Sequence, residues 1–415
     1  MLMPAINDTA RAITVVLHDL PLGGGERIAI RLANRWAAAG RAVTILVGAR
    51  QGPLGALIYP AVTVVECDPP IPRGKGSRRR LGAATAAHLK DNPADILFVP
   101  GNYHWPVMHA VGAMPDTQRP GLVAQVGTPL FRHGRKGIKQ LAYNLRTRLQ
   151  FRAVDAAISL SDSMTADVDH VLGRAITQRI ALPALEDARD AAPPIAATGR
   201  LIVAAGRLVP EKGFDVAIRA FAALGDRSAR LAILGEGPER ANLLALAERE
   251  GVADRVDLPG YVADIRPWLD RARLFLLSSW YEGYGAVVIE ALAAGRPVVA
   301  TDCTPAAYEL LTSYAAGAVA PLGDATALAE GLSRVLNAPV PCPHALAASV
   351  AQYRIGPIAD AYLRQFDEVK TLRCAQPAPR AFTLSLAALW PSAVYASHRA
   401  TASRPRYAGA LHPAE

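Results

Sequence analysis

"LLSSWYEGYGAVVIEALAAGRPVVATD", Leu276 to Asp302, holds a strand, a loop, a helix and a second strand in one pass. The apolar run closing at Ser278 has strand length, and "SWYEGYG" carries the glycines and polar groups of a turn. "AVVIEALAA" is apolar nearly all round, as a buried helix is, and ends at Gly295, a residue suited to a left-handed stop. "RPVVATD" then returns to a β-branched run. Such a unit specifies two parallel strands joined by a covering helix. Two carboxylates sit inside it, Glu282 at a strand's carboxyl end and Glu290 in the second helical turn. A buried carboxylate without hydrogen bonds costs several kcal/mol, so each needs a purpose.

The same unit recurs in both directions. In the second half "RLIVAAG", "RLAILGEG", "RVDLPG" and "RLFLLSS" each precede a helical stretch; in the first half "AITVVL", "AVTILV", "DILFV", "LVAQV" and "AAISL" read as strands. "LPALEDARDAAPPIAATG" separates the halves with prolines, alanines and acids. The expected organisation is α/β: two doubly wound Rossmann-like domains facing each other across a cleft. Residues 1–183 form the first domain, 184–199 a linker and 200–352 the second domain. Residues 353–370 are expected to form a helix packing back toward the first domain, and 371–415 a tail.

Composition narrows the chemistry. At 415 residues, 51% of them hydrophobic, the chain has material for two cores. Its four cysteines lie far apart with no CxxC pair, which argues against a zinc site or a disulfide framework and suits a reducing compartment. No signal peptide is recognised at the start, and no apolar run reaches the roughly 20 residues of a membrane span; a cytoplasmic protein is expected. The net charge of +9 is uneven: residues 1–190 carry 23 Lys and Arg against 15 Asp and Glu, the remainder 22 against 21. The first half therefore favours an anionic partner.

The strand-end loops of the second half suggest which ligand. "GRLVPEKG" sets Arg207 and Lys212 between Gly206 and Gly213, a forked donor and a point charge suited to a diphosphate. "LGEGPE", with Glu236, and "PGYVADI", with Val262, supply two further loops placed to hold a nucleobase, though each alone reads as an ordinary turn. Glu282 and Glu290, acceptors near the N–H-rich start of a helix, suit a ligand with sugar hydroxyls and a phosphate. Alternatively, Glu282 caps the helix and Glu290 pairs with an arginine.

Taken together and in this order, "GRLVPEKG", "LGEGPER", "GYVADI" and "EGYGAVVIEALAAGRPVVATD" resemble the nucleotide-sugar half of retaining glycosyltransferases of family 4, which have the GT-B fold. "LGGGERIAIRLANRWAAAGRAVTILV" resembles the opening of that family's acceptor half, and the resemblance covers about residues 12 to 370. It implies that Glu282 contacts the donor sugar and Glu290 the ribose, and that Arg207 and Lys212 hold the diphosphate. It also implies that Gly23, Gly24 and Gly25 approach the donor phosphate from the other domain. Gly206, Glu236, Val262, Gly283, Tyr284 and Gly285 complete the implied donor loops.

The activity implied is transfer of a sugar from a nucleoside-diphosphate sugar to an acceptor hydroxyl with retention of configuration, in cell-surface polysaccharide or glycolipid synthesis. Cations and helix N-termini would stabilise the departing diphosphate, and domain closure would order both substrates. No metal or other cofactor is required in that scheme, and no nucleic acid partner is expected. "DVDH", Asp167 to His170, mimics a metal motif, but on a helix its two aspartates point about 200° apart. Many relatives carry a histidine near the anomeric carbon. Here "DILFVPGNYHW" offers only His104 nearby, and His18 precedes the glycine loop; His104 is the candidate taken. Its uncertain role keeps open an alternative, a catalytically weak sugar-nucleotide-binding regulatory or assembly subunit. An NAD-dependent oxidoreductase would rest on the glycine loop alone, and "LGGGER" lacks the GxGxxG spacing.

The basic half adds a last expectation. "RHGRKGIKQLAYNLRTRLQFR", residues 132–152, sets Ile138, Leu141, Leu145 and Leu149 on one helical face among many cations, and "PRGKGSRRR" forms a second cluster. The narrow apolar stripe favours a helix packing its leucines on the sheet; the other option lays them on an anionic bilayer. Either way the exposed cations predict salt-sensitive peripheral binding to an anionic membrane surface and a glycolipid, lipid-linked saccharide or saccharide acceptor.

Overall fold

The computed structural model describes residues 9–21, 23–131, 135, 137–187, 193–195, 199–311 and 315–375. The chain divides into two compact units, one of residues 1–180 with 362–415, the other of residues 181–361.

In the first unit seven strands form one parallel sheet: β1 Ala12–Leu17, β2 Ala42–Val47, β3 Thr63–Glu66, β4 Ile96–Val99, β5 Gly121–Val126, β6 Ala156–Ser159 and β7 Thr177–Arg179, in the order β3-β2-β1-β4-β5-β6-β7. The helices are α1 Gly24–Ala38, α2 Ser77–Asp91, α3 Val107–Val111, α4 Gly137–Phe151 and α5 Asp162–Leu172. β4, β5 and β6 are wholly buried, as the apolar strands of a parallel sheet covered on both faces should be. The order reverses between β1 and β4, which marks the topological switch point.

The second unit holds β8 Leu201–Ala205, β9 Arg230–Leu234, β10 Val256–Gly260, β11 Leu274–Leu277, β12 Val298–Thr301 and β13 Gly317–Ala320, ordered β10-β9-β8-β11-β12-β13 and also parallel. Its helices are α6 Phe214–Ala223, α7 Arg240–Arg249, α8 Arg266–Arg271, α9 Ala286–Ala293, α10 Pro305–Leu310, α11 Ala325–Asn337 and α12 Pro343–Ser349, and α13 Ile355–Ala375 closes the described chain. One face of this sheet is packed by Phe214, Ile218 and Phe221 of α6 with Leu328, Leu332 and Val335 of α11, all buried. The switch point here lies between β8 and β11.

The last part of α13, from Tyr362, packs on the first unit. Trp36, Phe98, Tyr362 and Phe366 form one aromatic cluster with ring centroids 5.0 to 6.2 Å apart. The Tyr362 hydroxyl accepts from Gln125 Nε2 at 2.8 Å. Asp367 pairs with Arg41 at 3.0 Å, and Arg373 reaches Asp155 at 3.3 Å. Gly121 allows the close approach: a Cβ there would lie 2.7 Å from Val369 Cγ1. The helix continues through Ala375, past the position where the sequence suggests a tail. Residues 376–415 lie outside the described part.

The chain leading into the second unit is tied down where it is described. Leu185 bridges Arg354, Arg354 Nη1 donates to the carbonyls of Glu186 and Asp187, and Gly356 N donates to Asp187 Oδ1 at 2.7 Å. Fully buried Arg296 donates to the Pro193 carbonyl at 3.0 Å. Three strands escape the sequence reading, β3, β7 and β13. Among the described residues no helix is long and apolar enough to cross a membrane.

The expectation for α4 is reversed. Its buried residues are Gln140, Asn144, Thr147, Arg148 and Phe151, while Ile138 is 83% exposed, Leu149 54% and Leu145 40%. Leu141 is half-buried, but Ile138, Leu145 and Leu149 face away from the sheet because the inner side of the helix is a hydrogen-bonded polar seam. Gln140 Nε2 donates to Asn144 Oδ1 at 2.6 Å and to the Leu130 carbonyl at 3.2 Å, and Thr147 Oγ1 donates to the Tyr143 carbonyl at 2.9 Å. Arg132 and Lys136 lie outside the described residues.

Candidate active site

The switch point of the second sheet gathers the residues that the sequence singles out. β8 ends at Ala205, and the chain continues through Gly206, Arg207 and a short turn, Pro210–Lys212, into Gly213 at φ +59°. Gly213 is required twice, for that left-handed conformation and because a Cβ would strike the Ser278 carbonyl. Across the switch point β11 runs into Ser278, Ser279 and Glu282. The two loops are sewn together: Ser278 Oγ donates to the Lys212 carbonyl at 3.0 Å, and Trp280 N donates to the Glu211 carbonyl at 2.9 Å.

Between them lies the central contact. Lys212 Nζ stands 2.6 Å from Glu282 Oε1, with the side chains 20% and 13% exposed. The same oxygen accepts from Ser279 Oγ at 2.8 Å. Lys212 has three N–H donors and spends one here; Glu282 Oε2 has no partner among the described residues. The pair thus fixes one cation and one acceptor side by side with capacity left over for a ligand. The carboxylate is felt nearby: burial, with Glu282 adding to it, pushes the Cys303 thiol up to about 12. Arg207 is separate and more open. Its side chain is 64% exposed and, among the described residues, reaches only Glu211, at 3.7 Å, a contact worth little in water.

Gly285, at φ +84°, turns the chain into α9, whose first turn has no side-chain cap and no acidic residue. Its leading N–H groups can therefore face an anion. Gly285 rather than Glu282 occupies the cap position, and Glu282 pairs across the switch point instead of serving α9. Gly283 lies in the same loop, and Glu290 sits half-buried on α9. Tyr284 turns the other way. Its ring is buried and its hydroxyl bonds Glu309 Oε2 at 3.0 Å and the Tyr353 hydroxyl at 2.9 Å, so its side chain is a packing element and only its backbone lines the loop.

The loops after β9 and β10 join this rim through backbone bonds. Leu208 N donates to the Glu236 carbonyl and Gly235 N to the Gly260 carbonyl, both at 2.8 Å. Glu236 is exposed and 3.7 Å from Arg240; Val262 is half-buried one residue beyond exposed Tyr261. Gly206, Arg207, Lys212, Glu236, Val262, Glu282, Gly283 and Gly285 thus share the carboxyl edge of one sheet, and Glu290 follows on the helix that leaves it.

In the first unit Gly23 is the uncapped N-cap of α1, and Gly24 and Gly25 are exposed with nothing near their Cα hydrogens. Beside them Arg73 clamps Asp19 and Glu26, at 2.6 and 3.0 Å, and lies over the Tyr103 ring. His104 does not serve as the sequence suggests. It is buried, its Nε2 accepts from His18 N at 3.1 Å and its Nδ1 donates to the Pro100 carbonyl at 2.8 Å. Both nitrogens are spent, Nε2 joining the end of β1 across the switch point and Nδ1 closing the turn after β4, and burial drives its pKa down to about 4. His104 is a neutral strut, not a candidate base. His18 is enclosed too, and burial lowers its pKa. The metal-like "DVDH" lies on α5, where Asp167 is buried and Asp169 Oδ1 accepts from the N–H groups of Ile176 and Thr177.

Sequence reasoning missed Ser279, the Asp19–Arg73–Glu26 clamp and Asn102, whose Oδ1 accepts from Gly127 N at 2.9 Å and holds the loop after β5. Ser279 stood inside the quoted loop and was findable; the other two depend on distant strand ends meeting.

Comparison with known proteins identifies the family of the two units. Residues 22–181 match the model of "Glycosyltransferase Family 4" and residues 199–338 that of "Glycosyl transferases group 1". An exopolysaccharide phosphotransferase of Streptomyces coelicolor is 35% identical over 192 residues, 45% of this chain and 20% of that protein. The lipopolysaccharide core biosynthesis glycosyltransferase LpsE of Rhizobium meliloti is 35% identical over 136 residues, 33% of this chain and 39% of that protein. This chain thus spans well under two thirds of either relative. Among solved structures, Anabaena HepE in complex with UDP and glucose superposes with a TM-score of 0.64 at 17% identity, covering 88% of this chain and 100% of that one. The lipopolysaccharide outer core galactosyltransferase WaaB gives 0.65 at 15%, covering 84% and 97%. With both halves matched in this order and two parallel α/β units in a GT-B architecture, the chain belongs to the family 4 type of GT-B glycosyltransferases.

Proposed function

We propose that this chain transfers a sugar from a nucleoside-diphosphate sugar to the hydroxyl of a saccharide or lipid-linked saccharide, with retention of anomeric configuration, in the synthesis of a cell-surface polysaccharide or lipopolysaccharide. The observation that carries the reading is the Lys212–Glu282 pair at the switch point of the second sheet, beside exposed Arg207 and the uncapped start of α9. The cations and amides suit a diphosphate, and the free Glu282 oxygen suits a sugar hydroxyl. HepE, a structural neighbour, was solved with UDP-glucose, and relatives act in lipopolysaccharide core synthesis and on a diphospho-undecaprenol-linked sugar.

In this scheme the bond from the anomeric carbon to the donor phosphate breaks as the acceptor oxygen bonds on the same face. The departing diphosphate gathers negative charge, and Lys212, Arg207 and the α9 amides offset it. With His104 spent internally, the departing phosphate oxygen is the base that receives the acceptor proton. The residues present supply the compensating positive charge, so no step is assigned to a metal. In this proposal the chain works at the cytoplasmic face of a membrane, where lipid-linked acceptors are presented.

A screen of nucleoside-diphosphate sugars against lipid-linked and soluble acceptors, with the product anomer read by NMR, tests the proposal. An inverted product overturns retention, and absence of transfer and of donor hydrolysis despite tight nucleotide binding favours a sugar-nucleotide-binding subunit. The sequestered His104 is the observation on that second reading's side.

A further inference from the structure

α4 is built inside out for a helix covering a sheet. Its inner side carries Gln140, Asn144, Thr147 and Arg148, each at most 4% exposed, with Phe151 against Trp105 as the apolar anchor. Its outer side carries Ile138, Leu145 and Leu149. At 100° per residue these three fall within an arc of about 40°, along a stripe about 16 Å long. A single exposed leucine is unremarkable, but three aligned on a helix whose polar residues are buried form a patch with a purpose.

Charge indicates what covers it. Exposed Lys139 and Arg146 flank the stripe on one side and exposed Arg152 on the other, none with a carboxylate partner among the described residues. Between Asp116 and Asp155 the chain contains no acidic residue at all. A protein partner would need on the order of 800 Å² of matched surface, more than three side chains on one helix provide, whereas a bilayer accepts a narrow stripe without shape complementarity.

We propose that the outer face of α4 docks this chain on an anionic lipid bilayer, with Ile138, Leu145 and Leu149 entering the boundary between headgroups and acyl chains and Lys139, Arg146 and Arg152 meeting lipid phosphates. The inference rests on the membrane-presented acceptor proposed above and names the element that reaches it. Attraction through the cations is screened by salt; the contribution of the leucines is not.

Flotation of the full chain with phosphatidylcholine vesicles, with and without phosphatidylglycerol, separates the outcomes. The expected result is binding to the anionic vesicles, weakened by salt and reduced roughly tenfold or more by Leu145→Ser with Leu149→Ser. Neutralising Lys139, Arg146 and Arg152 should abolish the salt dependence. Donor hydrolysis should be unchanged in every variant, since none touches the second unit's loops. If the native chain binds and the double serine variant binds equally, the assignment of α4 falls while the membrane location stands. If the native chain binds no vesicle but glycosylates a soluble acceptor, docking and membrane location both fail and sugar transfer survives. A native dimer dissolved by the serine substitutions would assign the stripe to a second copy, and vesicle binding seen only after removal of residues 376–415 would assign it to the chain's own tail; either overturns the proposal.

Discussion

Lys212 Nζ and Glu282 Oε1 stand 2.6 Å apart although 70 residues separate them in sequence. β8 and β11 are neighbours in the sheet, so their carboxyl-end loops meet, and the pair forms where the winding direction changes. Glu282→Gln keeps an acceptor for Ser279 but removes the charge that holds Lys212. It should lower kcat for transfer about ten- to a hundredfold with KM for the donor changed severalfold at most, because contact at the reacting ring matters most in the transition state. Steady-state kinetics with the preferred donor decide it; equal loss in kcat and affinity would move Glu282 out of the reacting region.

Arg207 and Lys212 should carry the preference for diphosphate over nucleoside. Titration calorimetry of the Arg207→Ala, Lys212→Ala double variant should show a nucleoside diphosphate binding about as weakly as the bare nucleoside, whereas Glu290→Gln should weaken both modestly. A diphosphate preference surviving in the double variant would place the phosphates elsewhere.

The buried His104 makes the first unit sensitive to acid. Its folded pKa of about 4 lies below the ordinary 6.5, so between those values the unfolded chain takes up a proton that the folded chain refuses. Stability should therefore rise with pH across that window and lose this dependence above it. Denaturant titrations from pH 4 to 7 on native chain and His104→Gln should give a flatter profile in the variant. An identical slope in both would show that other groups set it.

Tyr284→Phe removes the hydroxyl shared by Glu309 and Tyr353 and leaves both partners short of a bond. A loss of about 1–2 kcal/mol in unfolding free energy is expected, with donor affinity nearly unchanged because the side chain points away from the loop rim. A large affinity loss at native stability would reinstate Tyr284 as a ligand contact.

Gly213→Ala should cost stability and donor binding together. The new Cβ meets the Ser278 carbonyl in a left-handed conformation, so the loop after β8 must shift and carry Lys212 with it. A destabilisation of about 1–3 kcal/mol and weaker diphosphate binding are expected from thermal unfolding and calorimetry.

Local patterning was enough for much of this molecule. The long β-branched runs, the Gly-bounded helices and the strand-end loops specify two parallel α/β units and place Arg207, Lys212, Glu236 and Glu282 along one sheet edge with Glu290 on the helix that leaves it, because period and turn chemistry act between near neighbours. The short strands β3, β7 and β13 were not legible: strands of three or four residues carry too little pattern, and pairing with an already formed edge decides them.

What only tertiary structure decided was partnership and direction. Nothing in "PGNYHW" tells that His104 spends both nitrogens on the strand ends beside it, since that depends on β1 and β4 meeting at the switch point. Likewise the spacing of Ile138, Leu145 and Leu149 fixes a face of α4 but not which way it points. That was settled by a buried polar seam in which Gln140 donates to Asn144 and the Leu130 carbonyl and Thr147 to the Tyr143 carbonyl, which leaves the apolar stripe toward solvent. Periodicity defines faces; the neighbours a face meets choose its side.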